Sequence, residues 1–294
     1  MTKIKGSIVA LVTPFKESGA VDFDSLRNLL DFHIENGTDG ILVLGTTGES
    51  STMTHEEDDA VAELAIDYVA GRVPVIVGAG SNCTETAMMK GKRFANMGAD
   101  ALLMISPYYN KANKKGMLHH FTDCADVTKC PIIVYNVPGR TGCSITEDVV
   151  AELAKHPNIC GIKEASGSIQ YASNVARYIS DDFAMYSGND DMITPIMSLG
   201  GSGVISVLAN ILPRETHDIA MSYLEGDYKK SRELQLKYLD LIHALFIEVN
   251  PIPVKEAMNI MGLNAGYYRM PLCEMDPANR EKLMASMRKV GLCG

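Results

Sequence analysis

Tryptophan is absent from this sequence, as are any C-x-x-C pair and any apolar run of the ~18–20 residues that cross a bilayer. Without such runs the chain has no membrane-spanning helix to offer. The seven cysteines (Cys83, Cys124, Cys130, Cys143, Cys160, Cys273, Cys293) are odd in number and scattered, which argues for reduced thiols and against a zinc ribbon or a disulfide scaffold. The seven histidines lack metal spacing; His119 and His120, as neighbours on a helix, would point in different directions, and no metal is expected. Positive charge is also short, with 27 Lys and Arg against 36 Asp and Glu, a net charge of −9. No basic cluster could follow a phosphate backbone, so nucleic acid is excluded as a partner. The opening MTKIKGSIVALVTPF has about six apolar residues in a row and no small-residue cleavage site, too little for a signal peptide, so a cytoplasmic location is expected. A dinucleotide fingerprint is missing too. Gly78-Ala79-Gly80 follows an apolar run, but Cys83 stands in the place of the third glycine.

What the chain has is enough apolar material for a large core. It is 294 residues long and 46% hydrophobic, with ordinary numbers of glycine (25) and proline (12), which excludes disorder and collagen-like repeats. The 17 methionines read as adaptable core filling. Eight short, continuous apolar runs recur, near residues 7–12, 40–44, 74–79, 100–105, 131–136, 159–163, 183–187 and 203–208. Such runs are how strands buried on both faces of a parallel sheet look. Helix signals lie between them. Asp22 caps a segment with Leu26, Leu29, Leu30 and Ile34 on one face, ended by Gly37. Thr54 and Glu57 form a capping box for a helix closed by Gly71; Thr84 opens a third helix that Gly98 ends, and Thr146 a fourth that stops at His156-Pro157.

Eight strand–helix units within roughly 230 residues have the count and spacing of a (β/α)₈ TIM barrel, an α/β fold; an open doubly wound sheet uses the same local units. We place the catalytic barrel at residues 1–212, with its last helix reaching as far as about 230. Residues 213–294, helical and broken by the prolines of NPIPVK (250–255), read as a C-terminal helical extension.

In such a barrel the site lies at the C-terminal ends of the strands. Lys163 ends the sixth run, where a dry barrel mouth disfavours the ammonium and frees the amine to attack a carbonyl. A lysine there is equally read as a solvated surface charge. Tyr135, one strand away, can shuttle protons if hydroxyls such as Thr47 and Tyr109 link it to solvent, or it can simply cap the barrel. Thr46 and Thr47, bracketed by Gly45 and Gly48, can turn hydroxyls and N–H groups toward a small anion; Gly-Thr-Thr-Gly is also an ordinary turn. Arg140 offers a planar fork for a carboxylate or for a structural salt bridge. The Gly188-Asn189-Asp190-Asp191 loop is acidic, which disfavours a phosphorylated substrate. One amine, several hydroxyls and one cation suit imine chemistry on a carboxylated carbonyl compound.

Five motifs, the GTTGES loop, the SPYYN loop, YNVPGRTG, GIKEAS and GVISV, in this order and spacing, resemble the dihydrodipicolinate synthase family of the pyruvate-dependent class I aldolase and N-acetylneuraminate lyase superfamily. The similarity runs from VTPF (12–15) to NPIPVK (250–255). It implies a lyase that condenses pyruvate with L-aspartate 4-semialdehyde in the diaminopimelate route to lysine, without a cofactor. By the family pattern Lys163 forms the Schiff base, Tyr135 donates and accepts the proton in a relay with Thr47 and Tyr109, and Thr46, Thr47 and the backbone of Ile205 hold pyruvate. Arg140 receives the semialdehyde carboxylate. Tyr109 reaches into a neighbouring subunit's site within a homotetramer, a dimer of dimers. The Gly-Arg-Thr-Gly loop separates this reading from an N-acetylneuraminate lyase, which usually lacks that arginine. A barrel that binds a small acid without turnover would need no Lys–Tyr–Thr–Tyr set. Lysine-inhibited members carry an effector site matched here by Ser50, His55, Asn82 and Tyr108. Asp58 stands where a second histidine is expected and Thr86 where a glutamate is expected, with Glu85 about 100° away on the helix. Weak or absent feedback inhibition is the expectation.

Overall fold

The structure, a computed structural model, describes residues 4–294. Its strands are β1 (Gly6–Ala10), β2 (Gly40–Val43), β3 (Val75–Gly78), β4 (Ala101–Ile105), β5 (Ile132–Asn136), β6 (Ile159–Glu164), β7 (Ala184–Ser187) and β8 (Gly203–Ser206). They pair in parallel in chain order, and β8 returns to β1, so the sheet closes into a (β/α)₈ barrel. The runs are continuously apolar because both faces are covered. Ile8, Leu42, Ile76, Leu103 and Ile133 fill the barrel interior, while Val9, Ile41, Val77, Leu102 and Val134 pack outward against the helices.

The caps explain where the helices begin. Asp22 accepts from the Ser25 N–H at the head of Phe23–Glu35, and the Thr54–Glu57 box opens His55–Val69. Two ends differ from expectation. His55–Val69 closes with Ala70 already in the left-handed region, followed by Gly71. Thr146 precedes Glu147–Leu153, but its hydroxyl donates to Asp148 rather than capping an N–H.

β6 carries the irregularity that matters most. Ile132 pairs with Ile159, but Ile133 pairs with Gly161, so β6 holds one extra residue there. Cys160 packs against the interior cluster while Ile162, two residues on, belongs to the outer one. Strict alternation from Cys160 would put Ile162 inside and Lys163 outside. The bulge inverts this and turns Lys163 into the barrel mouth.

The barrel's last helix lies beyond residue 212, within the reach to about 230 expected for it. Helix Pro213–Leu224 packs on β1 and β8 and is the ring's eighth helix. The extension proper follows as Tyr228–Lys237, Leu239–Ala244, Ile252–Ile260 and Pro277–Lys289. It is fastened to the β2 loop by a fully buried ion pair: Lys255 Nζ lies 2.8 Å from Glu49 Oε1 and also donates to the carbonyls of Thr13 and Tyr267. Those extra hydrogen bonds help offset the desolvation of both charges. Among the described residues no helix is long and apolar enough to cross a membrane, and no group of three His, Cys, Asp or Glu could hold a metal ion.

Candidate active site

Lys163 and Tyr135 face each other across paired positions of β5 and β6. Both are 6% exposed, and the lysine Nζ stands 4.4 Å from the phenol ring centroid. Burial pulls the Lys163 amine down to about 8; the Arg140 cation adds to the effect and the Asp190 carboxylate opposes it. Roughly a tenth of the side chain is therefore the free amine at pH 7, several hundred times the fraction for an unperturbed lysine. Burial pushes the Tyr135 phenol up to about 12, against the pull of Arg140 and of a hydrogen bond to the Thr46 side chain. At neutral pH it is a proton donor. Tyr186, level with Lys163 on β7, plays no such part, because its hydroxyl is spent on the Ile4 carbonyl at 2.9 Å.

The hydroxyl beside Tyr135 belongs to Thr46 and not to the expected Thr47. The Thr47 side chain is buried and its oxygen accepts from Asn250 Nδ2 at 2.9 Å, tying the β2 loop to the extension. The loop can be this tight because Gly48 lets it approach the chain just past β1: a Cβ there would lie 3.2 Å from the Leu11 carbonyl oxygen. Thr46, Tyr135 and Arg140 line a cavity of about 430 Å³. Arg140 sits on the short helix Pro138–Thr141 with its side chain exposed, and one guanidinium N–H reaches the Asn250 carbonyl at 3.3 Å. Ile205 is buried on β8 in the barrel interior.

Tyr109 is not brought to the site of its own chain. It is 92% exposed on the loop after β4, with a left-handed φ of 68°. Ser50, His55 and Tyr108 line the same cavity as Thr46, together with Asp58, Thr86 and Lys90. Asn82 is not part of that lining; its carbonyl accepts from Asn110.

Three residues that hold the site together were not singled out from the sequence in these roles. Asn250 bridges Thr47 and Arg140, Glu49 pairs with Lys255, and Asp190, read as part of a phosphate-repelling acidic loop, turns inward with 2% exposure. The Asn250–Thr47 and Glu49–Lys255 contacts span about 200 residues, a separation that no local pattern reports.

The chain is similar along its whole length to several known proteins. It is 54% identical over 292 residues, 99% of either chain, to the 4-hydroxy-tetrahydrodipicolinate synthase of Caldicellulosiruptor bescii. The crystal structure of dihydrodipicolinate synthase from Aquifex aeolicus superposes with a TM-score of 0.95 at 44% identity, covering 98% of both chains. That of the chloride-inhibited enzyme from Acinetobacter baumannii, complexed with pyruvate, gives 0.96 at 40% identity over 99% of this chain and 100% of the other. Residues 3–290 match the model of the dihydrodipicolinate synthetase family, and the chain belongs to that family.

Proposed function

We propose that this protein is a lyase that condenses pyruvate with L-aspartate 4-semialdehyde to give 4-hydroxy-tetrahydrodipicolinate, in lysine biosynthesis through diaminopimelate. The observation that carries the chemistry is the buried Lys163 amine, held level with the Tyr135 phenol at the mouth of a closed barrel.

Lys163 attacks the keto carbon of pyruvate, and loss of water leaves an iminium. Its positive charge draws electrons from the neighbouring methyl, so a proton leaves and an enamine forms. The enamine carbon adds to the aldehyde of the second substrate, and the new alkoxide takes a proton. Attack by the substrate's own amino group then closes the ring and frees Lys163. Tyr135 passes the protons, with Thr46 as the first hydroxyl of the relay. Arg140, exposed at the cavity and next to the site, receives the semialdehyde carboxylate with its planar fork. Thr46, Thr47 and the Ile205 backbone frame pyruvate. The covalent chemistry needs neither metal nor cofactor.

Tyr109 completes the relay from a neighbouring subunit of a homotetramer; its outward ring and left-handed backbone in the isolated chain favour this reading. The protein acts in the cytoplasm.

With pyruvate supplied, consumption of L-aspartate 4-semialdehyde but not of N-acetylmannosamine is the expected result of a coupled turnover assay. Turnover of the amino sugar alone would move the protein to the N-acetylneuraminate lyase reading, and silence with both would remove the catalytic one.

Lysine is expected to inhibit weakly or not at all. An effector ammonium needs an anion, and the anion at this end of the cavity, Asp58, is already paired with Lys90 at 2.8 Å, the two side chains 3% and 12% exposed. Lys90 lies one turn beyond Thr86 on the same helix, so it presents a like charge to the incoming amine. Initial rates should hold constant through 1 mM lysine, about the concentration at which a ~4 kcal/mol site half fills; half-inhibition well below that would contradict this assignment.

A further inference from the structure

Asp190 is buried where a loop carboxylate would be expected in solvent. Its Oδ2 accepts from the backbone N–H groups of Val207 and Leu208 at 3.0 and 2.9 Å, just past β8, and the Ser206 hydroxyl lies beside it. Its carbonyl accepts from Gln235 Nε2 of the extension at 2.8 Å, and its Oδ1 is buried with no hydrogen-bond partner on the chain among the described residues. Two residues earlier, Gly188 lets this loop press on the lysine: a Cβ there would stand 3.1 Å from Lys163 Cε. The groups facing Lys163 are Tyr135 from β5, Arg140 from the helix after it, Tyr186 from β7 and Asp190 from the β7 loop. Asp190 is the anion among them. Glu164 turns instead to Asn136 and Ser166, and exposed Asp191 lies near His243.

From this arrangement we infer that Asp190 is a positioning residue for the reaction, whose carboxylate locks the backbone following Ile205 in place and serves as the counter-ion of Lys163 and of the iminium formed on it. The inference rests on Lys163 being the imine-forming residue. A buried cation in a dry barrel mouth is strongly disfavoured unless an anion accompanies it, and the imine step carries one positive charge from ammonium to iminium at nearly the same place. A fixed carboxylate accommodates both states without rearrangement. Burial pushes the Asp190 carboxyl above the usual carboxylate range, while the Ser206 hydroxyl, the two N–H groups it accepts and Lys163 pull it back; the same two N–H groups fix the turn that carries the β8 end of the site.

The test is the pH dependence of pyruvate-dependent inactivation by borohydride, with the modified peptide located by mass spectrometry, in the wild type and in Asp190→Asn. The amide keeps the shape and one acceptor oxygen but removes the charge. Wild type is expected to show an acid-side inflexion near 8. In Asp190→Asn that inflexion should move down by about one pH unit or more, raising the ratio of trapping at pH 6 to that at pH 9 about tenfold. A role confined to anchoring the loop would slow trapping at every pH and leave the inflexion in place, which overturns the inference. Circular dichroism reports whether the variant is folded; if it is not, Asp190→Ser also removes the charge, and the same shift is expected of it. Absence of any trapped pyruvate in the wild type would be the failure of Lys163 as the imine-forming residue, a different result from an unmoved inflexion.

Discussion

Lys163→Gln lowers kcat/KM for pyruvate by about 10³-fold or more, because no second lysine stands beside Tyr135 to form the imine, and Lys90, the amine that lines the cavity, is held in an ion pair with Asp58. The loss falls on chemistry and not on folding. Lys163 is a desolvated cation in the native state whose burial outweighs the attraction of Asp190, so a neutral amide of similar length relieves that net cost, while Asp190 keeps the two backbone N–H groups that hold it. The melting temperature of the variant should match or exceed that of the wild type. A variant that melts well below the wild type, with activity lost in proportion to folded protein, would mean that Lys163 is structural.

Tyr135→Phe is the second large effect, a fall of roughly 10²–10⁴ in kcat, the usual range for a missing general acid–base group. The ring that lies 4.4 Å from the Lys163 Nζ remains, so pyruvate should still be trapped on the lysine by borohydride. Turnover fails at the later proton transfers, because the hydroxyl that meets Thr46 is gone. Single-turnover kinetics separate the two stages: trapping retained with condensation lost is the expected pattern. Equal loss of both would place Tyr135 in imine formation alone, as a wall of the pocket and not as a carrier of protons.

The architecture was legible in the sequence for a physical reason. A strand buried on both faces has no room for polar residues, so each of the eight strands appears as an unbroken apolar run, and the closed barrel has those eight strands at those places. Helix starts were legible where a side chain satisfies an orphan N–H, as at Asp22 and Thr54. The position of Lys163 at a strand end could be read as well. Its direction could not, because the extra residue at Cys160 breaks the period of two on which any inside–outside argument rests.

Other features escaped for equally specific reasons. Thr46 and Thr47 are adjacent residues of the same chemistry, and the turn of the β2 loop alone decides which one meets Tyr135 and which one Asn250. Asp190 and Asp191 look alike in sequence, yet one enters the barrel mouth under two backbone N–H groups and the other stays half in solvent. Pro213, which in sequence looks like a break, is the first residue of the eighth barrel helix, where proline is favoured, and that helix ends at Leu224, inside the reach to about 230.

The central claim is that a buried lysine at the end of β6 takes up pyruvate as an imine. The measurement that tests it most directly is reduction of the intact protein with borohydride in the presence of pyruvate, followed by peptide mapping. The account expects one reduced pyruvyl group per chain, on Lys163, and none in Lys163→Gln. Modification of a different lysine, or turnover that proceeds while Lys163 stays unmodified, would contradict it.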